Sequence, residues 1–90
     1  MTSLTTTQFR ALFRKLPEEV RAEGRKAYKL FKDNPRHPSL QFKKLLGQMW
    51  SVRISLNYRV VGVMDGETII WFWAGSHADY DKLVARLRSQ

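Results

Sequence analysis

The sequence predicts an α+β fold: a twisted antiparallel sheet with an N-terminal helical hairpin on one face and a C-terminal helix on the other. Three observations predict it. Apolar residues recur at helical spacing before Asn34 and again after Ser76, residues between Met49 and Tyr80 alternate or run as strands do, and Asp65-Gly66 separates two such runs.

Thr5, Thr6 and Thr7 offer an N-cap, and Phe9, Leu12, Phe13 and Leu16 follow at i, i+3, i+4 and i+7, so a short amphipathic helix begins near Gln8. Pro17 suits the first turn of a second helix, with Glu18 and Glu19 at the positive end of its dipole and Asn34-Pro35 as its stop. Val20, Ala27, Leu30 and Phe31 supply its inner face. Gly24, a weak helix former, marks close packing against the first helix. On the outer side Arg21, Arg25 and Lys29 recur at i, i+4 and i+8, where like charges cost roughly 0.2–0.5 kcal/mol per pair. Phosphates or carboxylates of a partner would relieve that cost; Glu18 and Glu23, at i+3 from Arg21 and Lys26, offer a partial balance within the chain.

The segment from Asn34 to Ser39 holds two prolines and reads as a loop, leading into an extended stretch through Leu40, Phe42, Lys43, Lys44 and Leu45 that turns at Gly47. His37, between the prolines, is an exposed loop residue. The strand Trp50 to Ser55 alternates Trp50, Val52 and Ile54 against Ser51, Arg53 and Ser55. A three-residue turn of Ser55, Leu56 and Asn57, with Asn57 left-handed, would set Arg53 beside Arg59 on one face; a two-residue turn would separate them. The three-residue turn is preferred because it groups Trp50, Val52 and Ile54 with the tryptophan face. In the next hairpin Asp65-Gly66 is read as a two-residue type I′ turn pairing Met64 with Glu67. Tyr58, Val60, Gly62 and Met64 then share a face with Ile69, Trp71 and Trp73, while Arg59, Val61 and Val63 share the other with Thr68, Ile70, Phe72 and Ala74. Both faces are apolar and call for cover. Ser76 to Asp79 reads as a capping box opening a helix from about His77 to Arg88, whose stripe of Tyr80, Leu83, Val84 and Leu87 should cover Val61, Val63, Ile70 and Phe72.

At 90 residues, 43% hydrophobic and 27% charged, the chain suits one globular domain spanning residues 1–90. It has no cysteine, which excludes disulfides and thiolate metal sites, and its two histidines, 40 residues apart, form no metal motif. No metal or cofactor is expected. No apolar run approaches the roughly 20 residues of a membrane span and the N-terminus lacks a leader pattern, so a cytoplasmic protein with no membrane partner is expected. The net charge of +8 is unevenly spread: from Arg10 to Arg53 there are 12 basic and 4 acidic residues, whereas from Ile54 to Gln90 there are 4 of each. This asymmetry favours a polyanionic partner, either nucleic acid or an acidic protein segment.

Four segments in order carry a family resemblance: Leu16-Pro17-Glu18-Glu19-Val20; Lys43-Lys44-Leu45-Leu46-Gly47; Trp50-Ser51-Val52-Arg53-Ile54 with Tyr58-Arg59-Val60-Val61; and Gly75-Ser76-His77 with Tyr80. From about Phe9 to Leu83 the chain resembles the RelE/ParE superfamily of bacterial type II toxin-antitoxin toxins. The resemblance implies a similar fold and a cognate acidic antitoxin. For ribonuclease members it implies metal-independent cleavage of messenger RNA on the ribosome by attack of the 2′-hydroxyl on the adjacent phosphate. That reaction needs a base, cations around the phosphorane and an acid for the leaving oxygen.

By this resemblance Arg59 matches the arginine of the Tyr-Arg strand motif and Arg53 a basic position on the preceding strand, so the two could clamp the phosphate. His77 could act as a base, and Tyr80 could stack on a nucleobase or donate a proton. Ser51 departs from the pattern, standing where ribonuclease members often have a second basic residue, which leaves Lys43 or Lys44 as the replacement. With Arg21, Arg25 and Lys29 these lysines form the expected RNA-binding set. Each residue also has a structural alternative: Arg59 as a partner of Asp79 or Asp81, Tyr80 as a core residue of its helix, His77 as part of a cap. Two functions remain open at this point. One is an endoribonuclease toxin; the other is a non-enzymatic toxin on the same fold that inhibits DNA gyrase through protein contacts.

Overall fold

A computed structural model describes residues 1–89 and holds five strands and three α-helices in the order β1 (Thr2–Thr5), α1 (Thr7–Arg14), α2 (Glu18–Asp33), β2 (Lys43–Leu46), β3 (Met49–Ser55), β4 (Tyr58–Asp65), β5 (Thr68–Ser76) and α3 (His77–Arg88). The strands form one sheet in the order β1-β5-β4-β3-β2. The expected α+β architecture is present, with one change to the sheet: β1 runs parallel to β5, so the sheet is mixed. β1 is a short polar segment, Thr2-Ser3-Leu4-Thr5, without the alternation that marks a strand. It is held by Thr2 N–H to Glu67 C=O at 2.9 Å, Thr6 N–H to Trp71 C=O at 3.0 Å, and the Trp71 indole N–H to Ser3 Oγ at 2.9 Å.

The helices follow their local signals. Thr6 caps α1, its hydroxyl accepting from Phe9 N–H at 3.0 Å, and Pro17 stands as the N-cap of α2 rather than inside its first turn. A Cβ on Gly24 would lie 2.7 Å from Phe13 Cε1, so the glycine is the point where α2 meets α1. Between α2 and β2 a single 3₁₀ turn, Pro38–Leu40, buries Leu40 where an extended stretch was expected.

The main core lies between the helical hairpin and one sheet face, where Leu16, Phe31, Leu40, Val52, Ile54, Val60, Ile69, Trp71 and Ala74 are buried together. Phe31 sits edge-on to both Trp71, at 5.4 Å, and Phe42, at 5.1 Å, and Phe42 stacks on Trp50 at 4.6 Å. Edge-on and offset-stacked pairs at these spacings are the favoured aromatic arrangements.

Two registers differ from expectation. In the β4–β5 hairpin Asp65 pairs with Thr68, making Gly66-Glu67 the two-residue loop; Gly66 has φ +62° and Glu67 does not follow it into positive φ, the pattern of a type II′ rather than a type I′ turn. Farther along, Gly62 pairs with Trp71 but Val61 pairs with Trp73, leaving Phe72 as an extra residue. This β-bulge reverses the alternation of β5. Trp73 and Ala74 therefore exchange the faces expected for them: Ala74 enters the hairpin core, and Trp73 turns to α3, where its ring lies 6.4 Å from that of Tyr80.

In the β3–β4 hairpin the loop is the two-residue Leu56-Asn57, Asn57 is not left-handed, and a bulge at Ile54 makes up the missing residue. On the second face α3 seals Val61 and Ser51, whereas Val63, Ile70 and Phe72 stay half-buried, so the helix covers less of the sheet than its stripe suggests.

Because Phe72 is the extra residue of the bulge, its deletion leaves Trp71 next to Trp73, with Trp73 still opposite Val61 and Ala74 still opposite Val60, so the deletion variant is expected to keep both layers and to unfold cooperatively. Phe72→Ala keeps the register and should cost only about 1–3 kcal/mol, since the side chain is half-buried. Urea unfolding of the two variants tests this, and a deletion variant that fails to fold while Phe72→Ala folds would refute it.

Candidate functional site

The end of the sheet where β3, β4 and β5 meet the start of α3 carries the site. Arg53 lies directly opposite Arg59, and Arg59 opposite Gly75. The bulge at Ile54, rather than the expected longer turn, creates this juxtaposition. Tyr58 is opposite Ser76, whose hydroxyl caps α3 by accepting from Asp79 N–H at 3.1 Å, and the His77 N–H donates to the Asn57 carbonyl at 2.6 Å. That bond ties the β3–β4 turn to the first residue of α3. The Trp73 ring lies over Gly75, where any Cβ would come within 2.7 Å of the indole.

Arg59 is 9% exposed, and its Nη1 donates to the carbonyls of Ser55, Leu56 and Tyr58 at 3.3, 3.4 and 3.0 Å. It makes no ion pair with Asp79 or Asp81. Nε and Nη2 have no internal partner among the described residues and keep contact with solvent, since no buried polar side-chain atom lacks a hydrogen bond. The pKa of Arg59 is lowered, chiefly by burial and then by the positive charge of Arg53, with Tyr80 and Asp81 acting in the opposite sense. A downward shift of a base means that the folded state holds the charge less favourably than the unfolded chain. The penalty is present wherever both states are protonated and is relieved only as pH rises through the lowered pKa.

His77 and Tyr80 share the start of α3. The His77 ring is exposed, with Nδ1 3.2 Å from Asp81 Oδ2 and its centroid 5.8 Å from that of Tyr80. Tyr80 is buried, and its hydroxyl donates to Ser51 Oγ at 3.2 Å. The tyrosine thus anchors α3 to β3 in this conformation.

The remaining cations are spread over the molecule. Lys43 pairs with Ser51, on the α3 side of the sheet, and Lys44 with Trp50, on the hairpin side. Arg21 does not continue the stripe on α2, because its Nη1 donates to the Arg14 and Leu16 carbonyls at 3.0 and 2.8 Å and closes the end of α1. Arg25 and Lys29 instead rim, with Lys32, a cleft of about 440 Å³ between α1 and α2 that is lined by Phe9, Phe13, Tyr28, Phe31 and Trp71. The sequence did not reveal this cleft, since it depends on how far apart the helices sit. Among the described residues the ion pairs are Glu23–Lys26 and His77–Asp81, so Arg25, Lys29, Lys43, Arg53 and Arg59 have no carboxylate partner. No three His, Asp or Glu side chains converge there as metal ligands, and no helix is long and apolar enough to cross a membrane.

Residues 18–82 match the ParE-like toxin domain. The chain belongs to this family. It is a toxin of the RelE/ParE type found in toxin-antitoxin systems. A chain of the RelB-RelE antitoxin-toxin complex from Methanococcus jannaschii superposes with a TM-score of 0.72 at 17% identity, covering 89% of this chain and 96% of that one. The isolated Escherichia coli RelE toxin gives 0.63 at 18%, covering 96% and 97%. A chain of the RelBE2 toxin-antitoxin complex from Mycobacterium tuberculosis gives 0.59 at 26%, covering 83% and 95%. No curated protein sequence matches the chain. The ParE-like toxin therefore shares its fold with these proteins over 83–96% of its length.

Arg53 and Arg59, opposite each other on one face of the sheet and the second of them largely buried, form a place where a bound anion removes a cost. Inorganic phosphate at about ten times its Kd should stabilise the toxin by about 1.4 kcal/mol, raising Tm by several degrees beyond chloride at equal ionic strength. Arg53→Gln should remove most of that increment. A phosphate effect equal to that of chloride, or one unchanged by the substitution, would show that the pair holds no anion.

Proposed function

We propose that this toxin is a metal-independent endoribonuclease that cleaves messenger RNA, probed best on the ribosome, and that an acidic antitoxin restrains it. The observation that carries the reading is the Arg53–Arg59 pair: two arginines directly opposite each other on adjacent strands, neither ion-paired to a carboxylate among the described residues. Of the Arg59 guanidinium, Nη1 is spent on the turn carbonyls, and the open edge is Nε with Nη2, the side-on edge that grips a phosphate through two parallel hydrogen bonds.

In the reaction a base takes the 2′-hydroxyl proton and O2′ attacks the adjacent phosphorus. The P–O5′ bond breaks to leave a 2′,3′-cyclic phosphate, and an acid protonates O5′. Arg53 and Arg59 stabilise the extra negative charge of the phosphorane. His77, exposed at the start of α3 with Asp81 on Nδ1, offers Nε2 for proton transfer. Tyr80 holds α3 against Ser51, so its use as an acid or a stacking platform requires that bond to be exchanged for one to the RNA. Lys43, Lys44, Arg25 and Lys29 supply sequence-independent attraction to the RNA backbone, and Arg21 contributes less because its donors are engaged.

The clean catalytic test is Arg53→Ala, because Arg59→Ala also frees the turn carbonyls and destabilises the site. Cleavage of ribosome-bound message should fall about 10²- to 10³-fold with Arg53→Ala, and about 10²- to 10⁴-fold with His77→Ala, with a flattened pH profile near neutrality. Folded variants that cleave, or arrest growth, at the parental level would transfer the assignment to the non-enzymatic, protein-binding alternative.

The antitoxin reading rests on the cleft between α1 and α2. Its aromatic walls suit apolar anchors, and its rim of Arg25, Lys29 and Lys32 suits carboxylates. Association should slow as salt rises, and Lys29→Glu should slow it further. Ala27→Trp, which fills the cleft, should weaken binding by raising the dissociation rate. Affinity indifferent to salt and to both substitutions would place the antitoxin elsewhere.

A further inference from the structure

We propose that Lys43, and not its neighbour Lys44, is the third cation of the phosphate site. The inference rests on the ribonuclease reading and adds to it a substrate-contacting residue on a different strand from either arginine.

The argument starts from parity. Adjacent residues of a strand point to opposite faces, so of the two lysines only one can serve the face that carries Arg53 and Arg59. The β2–β3 register selects it. Lys43 is opposite Ser51, which in turn is opposite Val61 and bonded to Tyr80 beneath α3; Lys44 is opposite Trp50, on the face packed by the hairpin. Lys43 and Arg53 are thus diagonal neighbours on one face, about 7–8 Å apart at the backbone by sheet geometry, a span that a lysine stem bridges.

Burial supports the same assignment. Ser51, the β3 residue nearest Arg53 on that face, is 1% exposed and its hydroxyl is taken by Tyr80, so β3 itself offers no second charge there. Lys43 is exposed and has no carboxylate partner among the described residues. On the rows that cross the α3 face at this end, Lys43–Ser51–Val61–Trp73 and Arg53–Arg59–Gly75, it is the one cation besides the arginines. An ammonium reaching in from the β2 edge approaches a bound phosphate from the side opposite the β5 end of the site. It could therefore neutralise a non-bridging oxygen that the parallel edges of the two guanidinium groups leave uncovered.

The test compares Lys43→Gln, Lys43→Arg and Lys44→Gln with the parental protein. Both positions are exposed, so circular dichroism should report unchanged folding. Under single-turnover conditions on ribosome-bound message, Lys43→Gln should cleave roughly 10- to 100-fold more slowly. Lys43→Arg should retain most of the rate, and Lys44→Gln should lose only about 2- to 5-fold, the share of a lysine that attracts the RNA backbone without touching the reacting phosphate. Added salt should slow Lys43→Gln less steeply than the parent, because one phosphate contact is missing. Equal rates for Lys43→Gln and the parent, or equal losses at both lysines, would overturn the assignment while leaving the ribonuclease reading intact. A parental protein that does not cleave would overturn both.

Discussion

Strand β5 must serve two layers at once, and the bulge at Phe72 is the constraint on which the rest depends. Without it Trp71 and Trp73 would point to the same face, crowding the hairpin core and leaving α3 with no aromatic partner. With it, Trp71 meets Phe31 under the hairpin, and Trp73 meets Tyr80 under α3. The strand then ends at Gly75 and Ser76, the first roofed by Trp73 and the second capping α3. The position of His77, and the absence of a side chain opposite Arg59, both follow from that reversal.

A second bulge, at Ile54, does for β3 what Phe72 does for β5. It keeps Ile54 in the hairpin core while letting Arg53 face Arg59 across a tight two-residue loop. Burial of the Arg59 guanidinium and, after it, the positive charge of Arg53 are both unfavourable, and both lower its pKa. Three carbonyl acceptors hold the guanidinium despite both. Strain of this kind concentrates at binding sites, where a ligand of opposite charge makes the arrangement favourable.

Much of this was legible in the sequence. The helices announce themselves by Thr6, Pro17, Asn34 and Ser76 at their ends, and the hairpin core by the 3.6-residue and 2-residue periods of its members. The parts that were not legible are those set by long-range fit. β1 has no apolar pattern and exists because Glu67 and Trp71 bond to it. The Asp65-Gly66 signal led to a register two residues off because the turn closes one residue later, on Gly66-Glu67, and the bulge at Phe72, which inserts a residue without altering composition, led to the wrong face for Trp73. Arg21 looked like the first member of a basic stripe, yet its donors close the end of α1, a role visible only once the two helices are side by side. For the candidate site, the sequence indicated the residue types but not that Tyr80 would spend its hydroxyl on Ser51.

The cleft and the arginine site lie on opposite faces of the sheet, and this separation sets what an inhibitor must do. On the ribonuclease reading proposed above, a partner anchored only in the cleft would satisfy Arg25, Lys29 and Lys32 but would leave Arg53, Arg59 and Lys43 open to RNA. Neutralisation then requires a second segment that passes round an edge of the sheet. The molecule is 33 × 28 × 26 Å, so an extended chain at about 3.3–3.6 Å per residue needs on the order of ten residues to make the passage. The β2 edge is the shorter way to Arg53, and a segment running along it would meet Lys43 before the arginines. Carboxylates placed at the end of that segment would compete with phosphate for the same three cations, so inhibition and catalysis would draw on one electrostatic feature while affinity came chiefly from another.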